Sequence, residues 1–131
     1  MRFVDTSFWI ALYLNRDHHH AEAAALWSGD RGPILTTNHV LGETWTFIRR
    51  REHHGSAVRF LDHVVRSPRL TRTTVDDRLE DDAWKWLRRH DERPYSFVDA
   101  TSFATMRRHR IREALAFDED FTAAGFIELR P

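Results

Sequence analysis

The sequence contains no cysteine among its 131 residues. This absence excludes disulfide bonds, thiolate nucleophiles and cysteine-ligated zinc, and it is typical of a reducing compartment, so we expect a cytoplasmic protein. Lysine is nearly absent as well, because Lys85 is the only one and the other basic residues are arginine. A receiver-type signalling domain has a similar length but needs a lysine after a late strand. Lys85 lies within a helical stretch instead, which argues against that class.

Long apolar runs are also missing. No segment approaches the roughly 20 apolar residues that a membrane helix needs, so we expect no membrane partner. Repeats, low-complexity tracts and linkers rich in Pro, Gly or Ser are absent too. We therefore interpret residues 1–131 as a single domain. Its hydrophobic content of 41%, with nine Phe and five Trp, supplies large side chains for one core.

Short apolar runs alternate with longer helical patterns along the chain. The predicted strands are Arg2–Val4, Ile34–Thr36, Leu70–Thr73, Ala114–Phe117 and Ile127–Leu129. The predicted helices are Thr6–Leu14, His19–Trp27, Asn38–His54, Ser56–Arg66, Asp76–His90, Val98–His109 and a short turn at Glu119–Ala124 that ends at Gly125. This alternation predicts an α/β fold, a three-layer α/β/α sandwich whose central, mostly parallel sheet has about five strands.

Acidic residues occur where this fold places its ligand sites. Asp5 ends the first predicted strand and Asp118 follows the fourth. Asp99 begins the helix before that fourth strand, and Glu43 lies roughly two turns into the helix after the second strand. Ligands of parallel sheets bind beyond the carboxyl ends of the strands, so four separate segments deliver an acid to one predicted edge.

Carboxylates gathered in this way repel one another unless a cation lies among them. Hard oxygen ligands without cysteine favour Mg²⁺ or Mn²⁺, which can clamp a phosphodiester and activate water. Each acid also has a simpler interpretation. Asp5 and Asp99 could be helix N-caps, Asp118 could cap the short helix, and Glu43 could be a solvated helix residue.

Two other polar clusters are interpreted as surface. Five acids occur between Asp76 and Asp82, but they fill the first half of one helix that ends in arginines, the order that the helix dipole favours. The three consecutive histidines at 18–20 would point about 100° apart on a helix, so they do not converge on one ion.

Four segments in this order resemble the PIN domain and, more narrowly, the VapC toxins of bacterial toxin–antitoxin pairs: "FVDTS", "TTNHVLGET", "SFVDATSFATMRRHRI" and "ALAFDEDFTAAGF". The resemblance covers essentially the whole chain. It implies a Mg²⁺- or Mn²⁺-dependent endoribonuclease that cuts structured RNA, either transfer RNA or a loop of large-subunit ribosomal RNA, and so inhibits translation. It also implies a homodimer and a VapB-like antitoxin that occupies the active-site groove.

Carried over by position, the resemblance makes Asp5, Glu43, Asp99 and Asp118 the catalytic, metal-binding acids. Thr6 and Ser96 match polar positions beside the family's acids, where they would contact water or phosphate. Asp120 falls at a position where family members vary, so it either assists from behind the ligands or binds directly.

Two arginine clusters are candidates for binding RNA backbone: Arg49, Arg50 and Arg51, and Arg107 and Arg108 with Arg110 and Arg112. Both also lie at helix C-termini, where arginine pairs with the helix dipole. Two alternatives of function stay open, a non-catalytic RNA- or antitoxin-binding module and an RNA-processing PIN nuclease outside a toxin–antitoxin pair. A phosphatase of the haloacid dehalogenase class would want D-x-D after the first strand, where this chain has "DTS".

Overall fold

The computed structural model describes residues 1–131 and contains one five-stranded sheet in which every neighbouring pair is parallel. Its spatial order is β3-β2-β1-β4-β5. The strands are β1 (Arg2–Val4), β2 (Ile34–Thr37), β3 (Leu70–Thr73), β4 (Glu113–Leu115) and β5 (Ile127–Glu128). The α/β class and the parallel sheet predicted from the sequence are confirmed.

Seven helices connect and cover the strands. They are α1 (Thr6–Tyr13), α2 (His20–Gly29), α3 (Asn38–Arg51), α4 (His54–Arg66), α5 (Asp77–Arg89), α6 (Phe97–Arg108) and α7 (Asp120–Ala123). None of them combines the length and the apolar character that crossing a membrane requires.

The strand order contains one topological switch. From β1 the chain moves outward to β2 and β3, and it then returns to the other side of β1 to form β4 and β5. A crevice forms where the direction of winding reverses, at the carboxyl ends of β1 and β4. Val4 and Leu115 are paired at that point, and the Asp5 amide donates to the Leu115 carbonyl over 3.0 Å.

Aromatic residues form the core on both faces of the sheet. Because parallel crossovers are right-handed, α1–α4 cover one face and α5–α7 the other. On the first face Trp9 packs edge-on against Trp27 and Phe60, with ring centroids 5.7 and 5.9 Å apart. On the second face Phe103 packs against Phe121 at 4.9 Å and Trp86 at 5.1 Å. Aromatic side chains therefore pack on both faces of the sheet.

The predicted elements all exist, most of them with ends displaced by one or two residues, and the largest displacement is at the end of one helix. We expected one helix to run from Asn38 to His54, but α3 ends at Arg51 and His54 begins α4. The reason is local capping, since the His53 side chain accepts a hydrogen bond from the Ser56 amide and starts the new helix. The predicted turn at Gly125 is confirmed, because its φ of +100° lies in the left-handed region.

Candidate metal centre

Asp5 lies at the junction of β1 and α1 and is almost fully buried, with 2% of its surface exposed. It is the N-cap of α1, and its Oδ2 accepts hydrogen bonds from the Ser7 amide over 3.1 Å and the Ser7 hydroxyl over 2.7 Å. The same hydroxyl accepts from the Phe117 amide over 3.0 Å. Ser7 thus ties the end of β1 to the segment that follows β4.

Asp99 lies in the first turn of α6 and forms a reciprocal capping box with Ser96. The Asp99 amide donates to the Ser96 hydroxyl, and Asp99 Oδ2 accepts from the Ser96 amide, both over 3.0 Å. This pairing fixes the carboxylate at the helix N-terminus, where a negative charge is favoured.

Asp118 follows β4 by three residues and is half-buried. Its Oδ1 accepts from the Asp120 amide over 3.1 Å, a turn that leads into α7. Glu119 between them has a φ of +67°, a left-handed conformation that a residue with a side chain adopts at some cost. The turn holds Asp118 at the edge of the sheet.

These three carboxylates converge. Each offers one oxygen that lies within 4.8 Å of the oxygens of the other two. The capping hydrogen bonds engage one oxygen of each group, which leaves Asp5 Oδ1, Asp99 Oδ1 and Asp118 Oδ2 without a hydrogen bond from the protein. Capping and metal binding are therefore compatible roles for the same residue.

Burial and mutual repulsion raise the pKa of all three acids. Burial is the largest cause for Asp5, whose pKa rises to about 6 although the Ser7 hydrogen bonds oppose the change. The pKa of Asp118 rises to about 8 through burial and the charges of Asp5, Asp99 and Asp120. The pKa of Asp99 is raised by burial, and then by the charges of Asp120 and Glu43.

A divalent cation fits this donor set. Three hard oxygens converge. Arg93 is engaged by the neighbouring Asp120 through Nε and Nη2, each 2.9 Å from Oδ1. No arginine or lysine forms an ion pair with Asp5, Asp99 or Asp118. Their repulsion is relieved either by protonation or by a cation.

Glu43 lies beside this cluster rather than within it. It is exposed on α3 and lines a groove with Phe97 and Val98, the two residues that precede Asp99. Its charge contributes to the raised pKa of Asp99, but its carboxylate is not among the three that converge within 4.8 Å. Its role as a fourth ligand stays a prediction.

The three auxiliary candidates have distinct surroundings. Thr6 is buried and its hydroxyl donates to the Val40 carbonyl over 3.5 Å, while Ser96 is the cap of α6. Asp120 is held by Arg93. Ser7 is the polar residue that sequence analysis missed. The signal was present, since a serine two residues after an N-cap aspartate can donate to it.

The arginine clusters differ in their position. Arg50 and Arg51 line the same groove as Glu43, and Arg49 is exposed next to them. Arg107 and Arg108 lie at the other end of α6 from Asp99, about 12 Å away along a helix that rises about 1.5 Å per residue. Arg108 pairs with Asp76 over 3.0 Å there. Of the two clusters, only the first shares a groove with one of the candidate acids, Glu43.

The side chains of the two polar clusters interpreted as surface have separate surroundings. His19 stacks on Phe117 at 4.5 Å, and His20 bonds the Ala11 carbonyl over 2.8 Å, so neighbouring histidines point to different partners. The acids of α5 stay at the surface, with Asp76 as the helix N-cap.

Comparison with known proteins gives consistent matches over the full chain. A family model described as the PIN domain matches residues 2–127. The 23S rRNA-specific endonuclease VapC20 of Mycobacterium tuberculosis is 54% identical over 100% of this chain and 99% of its own length. A VapC ribonuclease of Archaeoglobus fulgidus is 27% identical over 91% of this chain and 78% of its own.

Solved structures agree with these matches. The crystal structure of M. tuberculosis VapC20, described as a sarcin-ricin loop cleaving toxin, has a TM-score of 0.95 at 52% identity and covers both chains fully. A toxin–antitoxin complex from Klebsiella pneumoniae has a TM-score of 0.68 at 14% identity, covering 94% of this chain and 91% of that one. The second likeness concerns the fold alone.

Proposed function

This chain belongs to the PIN domain family and, within it, to the VapC group, and from that premise we propose that it is a Mg²⁺- or Mn²⁺-dependent endoribonuclease. The observation that carries the proposal is the convergence of Asp5, Asp99 and Asp118, with one oxygen of each within 4.8 Å of the others. A divalent cation bound there supplies Lewis-acid stabilisation of a phosphoryl group and an activated water.

The side chains of the site bind the cation and orient its ligands. Asp5, Asp99 and Asp118 would hold the cation through the oxygens that the hydrogen bonds leave unengaged. Ser7 and Ser96 keep two of these carboxylates in fixed orientations, which preorganises the site before substrate arrives. Glu43, which lines the groove on α3, would add a fourth carboxylate to this centre. Hydrolysis breaks the bond between phosphorus and the 3′ oxygen, leaving a 3′-hydroxyl and a 5′-phosphate.

The substrate we propose is a loop of large-subunit ribosomal RNA. The support is the 54% identity to a 23S rRNA-specific endonuclease and the close structural match to a toxin that cleaves the sarcin-ricin loop. On this proposal the protein is the toxin of a toxin–antitoxin pair and stops translation by cutting the ribosome.

A cognate antitoxin and a second copy of the chain are the partners we propose. The antitoxin would lie across the carboxylate edge and block access to it, and the homodimer would bring two such edges into one assembly. Light scattering of the free chain, and of the chain co-expressed with the product of a neighbouring antitoxin gene, measures both. A monomer under both conditions would contradict the homodimer.

One experiment tests the catalytic proposal. Purified protein is incubated with total bacterial RNA and with a sarcin-ricin hairpin, in Mg²⁺, Mn²⁺ or EDTA, beside an Asp99→Asn variant, and the cut ends are mapped by sequencing. Discrete metal-dependent cuts that the variant lacks are expected. If a folded protein supplied with metal leaves both RNAs intact, a non-catalytic binding module replaces the nuclease.

A further inference from the structure

Glu128, on the two-residue strand β5, has a side chain that is only 2% exposed. Glutamate is seldom buried to this degree unless its carboxylate is paired. Here both oxygens are engaged, because Oε1 accepts from the Glu119 amide over 3.2 Å and Oε2 accepts from the Thr122 amide over 3.0 Å. Both donors belong to the turn and short helix that follow Asp118, so Glu128 ties this segment to the edge of the sheet.

The segment needs an outside partner because α7 does not cap itself. Its N-cap residue, Glu119, makes no side-chain capping hydrogen bond and has a left-handed backbone with a φ of +67°. The amides of the N-cap residue and of the third helical residue are the two that a capping box satisfies. In α7 these are the amides of Glu119 and Thr122, and Glu128 accepts both. A carboxylate on another strand thus replaces the cap that Ser96 and Asp99 form within α6.

Arg130 holds the residues on the other side of Asp118. Its Nη1 donates to the Ala116 carbonyl over 2.9 Å, and its guanidinium carbon lies 4.8 Å from the centre of the Phe117 ring. Its Nη2 donates to Glu128 Oε1 over 3.3 Å, which joins the two side chains. The Glu128–Arg130 pair therefore contacts the chain immediately before and immediately after Asp118.

Asp118 itself lies between elements, since β4 ends three residues before it and α7 begins two residues after it. One of its carboxylate oxygens nevertheless lies within 4.8 Å of oxygens of Asp5 and Asp99. When these groups are ionised, their like charges push the carboxylates apart. The position of Asp118 therefore depends on the contacts that restrain residues 116–122 from outside the segment.

We infer that Glu128 and Arg130 are positioning residues of the metal centre, which act through the backbone on either side of Asp118. Their hydrogen bonds keep the Asp118 carboxylate close enough to Asp5 and Asp99 for all three to bind one cation. The inference rests on the proposed nuclease function, and it adds a determinant of metal affinity that lies outside the four acids.

Mn²⁺ binding measured by calorimetry, without RNA, tests this role. Glu128→Gln replaces one acceptor oxygen by a donor, so only one of the two amides keeps its partner, and we expect about 10-fold weaker binding. Glu113→Gln is the matched control, because it makes the same change at the other end of β4, where Glu113 pairs with Arg2 over 3.4 Å. Its Mn²⁺ affinity should stay within about 2-fold of the wild type.

Amide hydrogen exchange in the metal-free protein, followed by NMR, separates a local effect from a general loss of stability. In Glu128→Gln the Glu119 and Thr122 amides should exchange at least about 10-fold faster than in the wild type. The Ile34 amide, which donates to the Arg69 carbonyl at the opposite end of the sheet, should change much less. A variant that is destabilised throughout would instead accelerate exchange at all three amides.

Arg130 supplies a second pair of variants, and its side chain is 41% exposed, so its replacement disturbs the core less. Arg130→Ala removes the hydrogen bond to Ala116 and should raise the Mn²⁺ concentration that gives half-maximal cleavage by about 10-fold. The rate at saturating Mn²⁺ should stay within about 2-fold of the wild type, because the ligands themselves are intact. Arg130→Lys keeps a cationic donor and should lie closer to the wild type.

Three results overturn the inference. The first is equal Mn²⁺ affinity in Glu128→Gln and Glu113→Gln, which would make the pair purely structural. The second, decisive if Glu128→Gln does not fold, is wild-type metal dependence in Arg130→Ala. The third is a wild type that binds no Mn²⁺, which would refute the metal centre as well. By contrast, a protein that shows the expected differences in Mn²⁺ affinity but cuts no RNA would refute the nuclease and leave the positioning role standing.

Discussion

The Ser7 hydroxyl joins Asp5 to the backbone of Phe117, donating to the carboxylate over 2.7 Å and accepting from the amide over 3.0 Å. These two partners are 112 positions apart in the sequence and belong to the segments that deliver Asp5 and Asp118 to the sheet edge. The distance between two proposed metal ligands therefore depends on a third side chain that binds no metal.

Ser7→Ala is expected to impair metal binding more than folding. The change removes both hydrogen bonds of the hydroxyl, so the stability cost is about 1 kcal/mol, whereas loss of such an orienting partner typically lowers metal affinity or activity about 10- to 100-fold. Cleavage rates are measured against Mg²⁺ concentration, and the concentration that gives half-maximal cleavage should be higher for Ser7→Ala than for the wild type. Ser7→Thr keeps the hydroxyl and should stay close to the wild type. Wild-type metal dependence in Ser7→Ala would contradict the role.

The stability of the metal-free protein should fall as pH rises. Asp5 and Asp118 have pKa values raised on folding to about 6 and about 8, from the ordinary value of 3.8. Between pH 3.8 and the raised pKa of each group, the folded state holds a proton that the unfolded chain has released. Each unit of pH increase in that range therefore lowers the free energy of unfolding. Urea unfolding in EDTA from pH 4 to pH 9 measures this.

Two controls accompany that pH series. Asp118→Asn carries no charge to bury, so its stability should vary less with pH than that of the wild type. Added Mg²⁺ should stabilise the wild type much more at pH 8 than at pH 5, because binding requires the ionised carboxylates. A wild-type stability that is constant from pH 5 to pH 8 in EDTA would argue against the raised pKa values.

Glu43→Gln and Asp118→Asn should differ in severity. Asp118 belongs to the converging set, whereas Glu43 lies at the exposed rim. Calorimetric titration with Mn²⁺ should show binding nearly abolished by Asp118→Asn and weakened by about 10-fold or less in Glu43→Gln. Equal losses in the two variants would place Glu43 among the direct ligands.

Salt dependence should separate the two arginine clusters. Arg50 and Arg51 line the groove, so replacing both by glutamine should lower the magnitude of the log affinity–log salt slope for RNA by roughly 1 to 2. The matched double change at Arg107 and Arg108 removes the same charge from the far end of α6, where Arg108 is already paired with Asp76. Its slope should remain that of the wild type. Wild-type slopes in both double variants would assign RNA binding to neither cluster.

Much of the fold could be predicted from the order of short-range patterns. The apolar runs at β1 and β4 are flanked by helical periodicity, which predicts a parallel sheet because parallel strands need helical crossovers. The boundary between α3 and α4 could not be predicted in this way. It depends on the His53 side chain capping the Ser56 amide, a contact that no hydrophobic pattern shows.

The site was predictable in part for the same reason. Asp5 and Asp118 follow strands, and Asp99 lies in the first turn of the helix that leads into β4, so their convergence follows from the strand order. Glu43 lies two turns along a helix, and its distance from the others depends on how α3 packs. Helix packing is a tertiary property, and it places this residue at the rim.

By itself, the sequence determined the class of fold, the edge of the sheet that carries the acids and the hard-ligand character of the centre, because these follow from residue type and chain order. The tertiary structure alone decided that Ser7 connects Asp5 to the segment after β4, that Arg93 is paired with Asp120, and that Glu43 lines a groove with Phe97 and Val98. These features depend on side chains far apart in the chain, and their distances are set only when both faces of the sheet are packed.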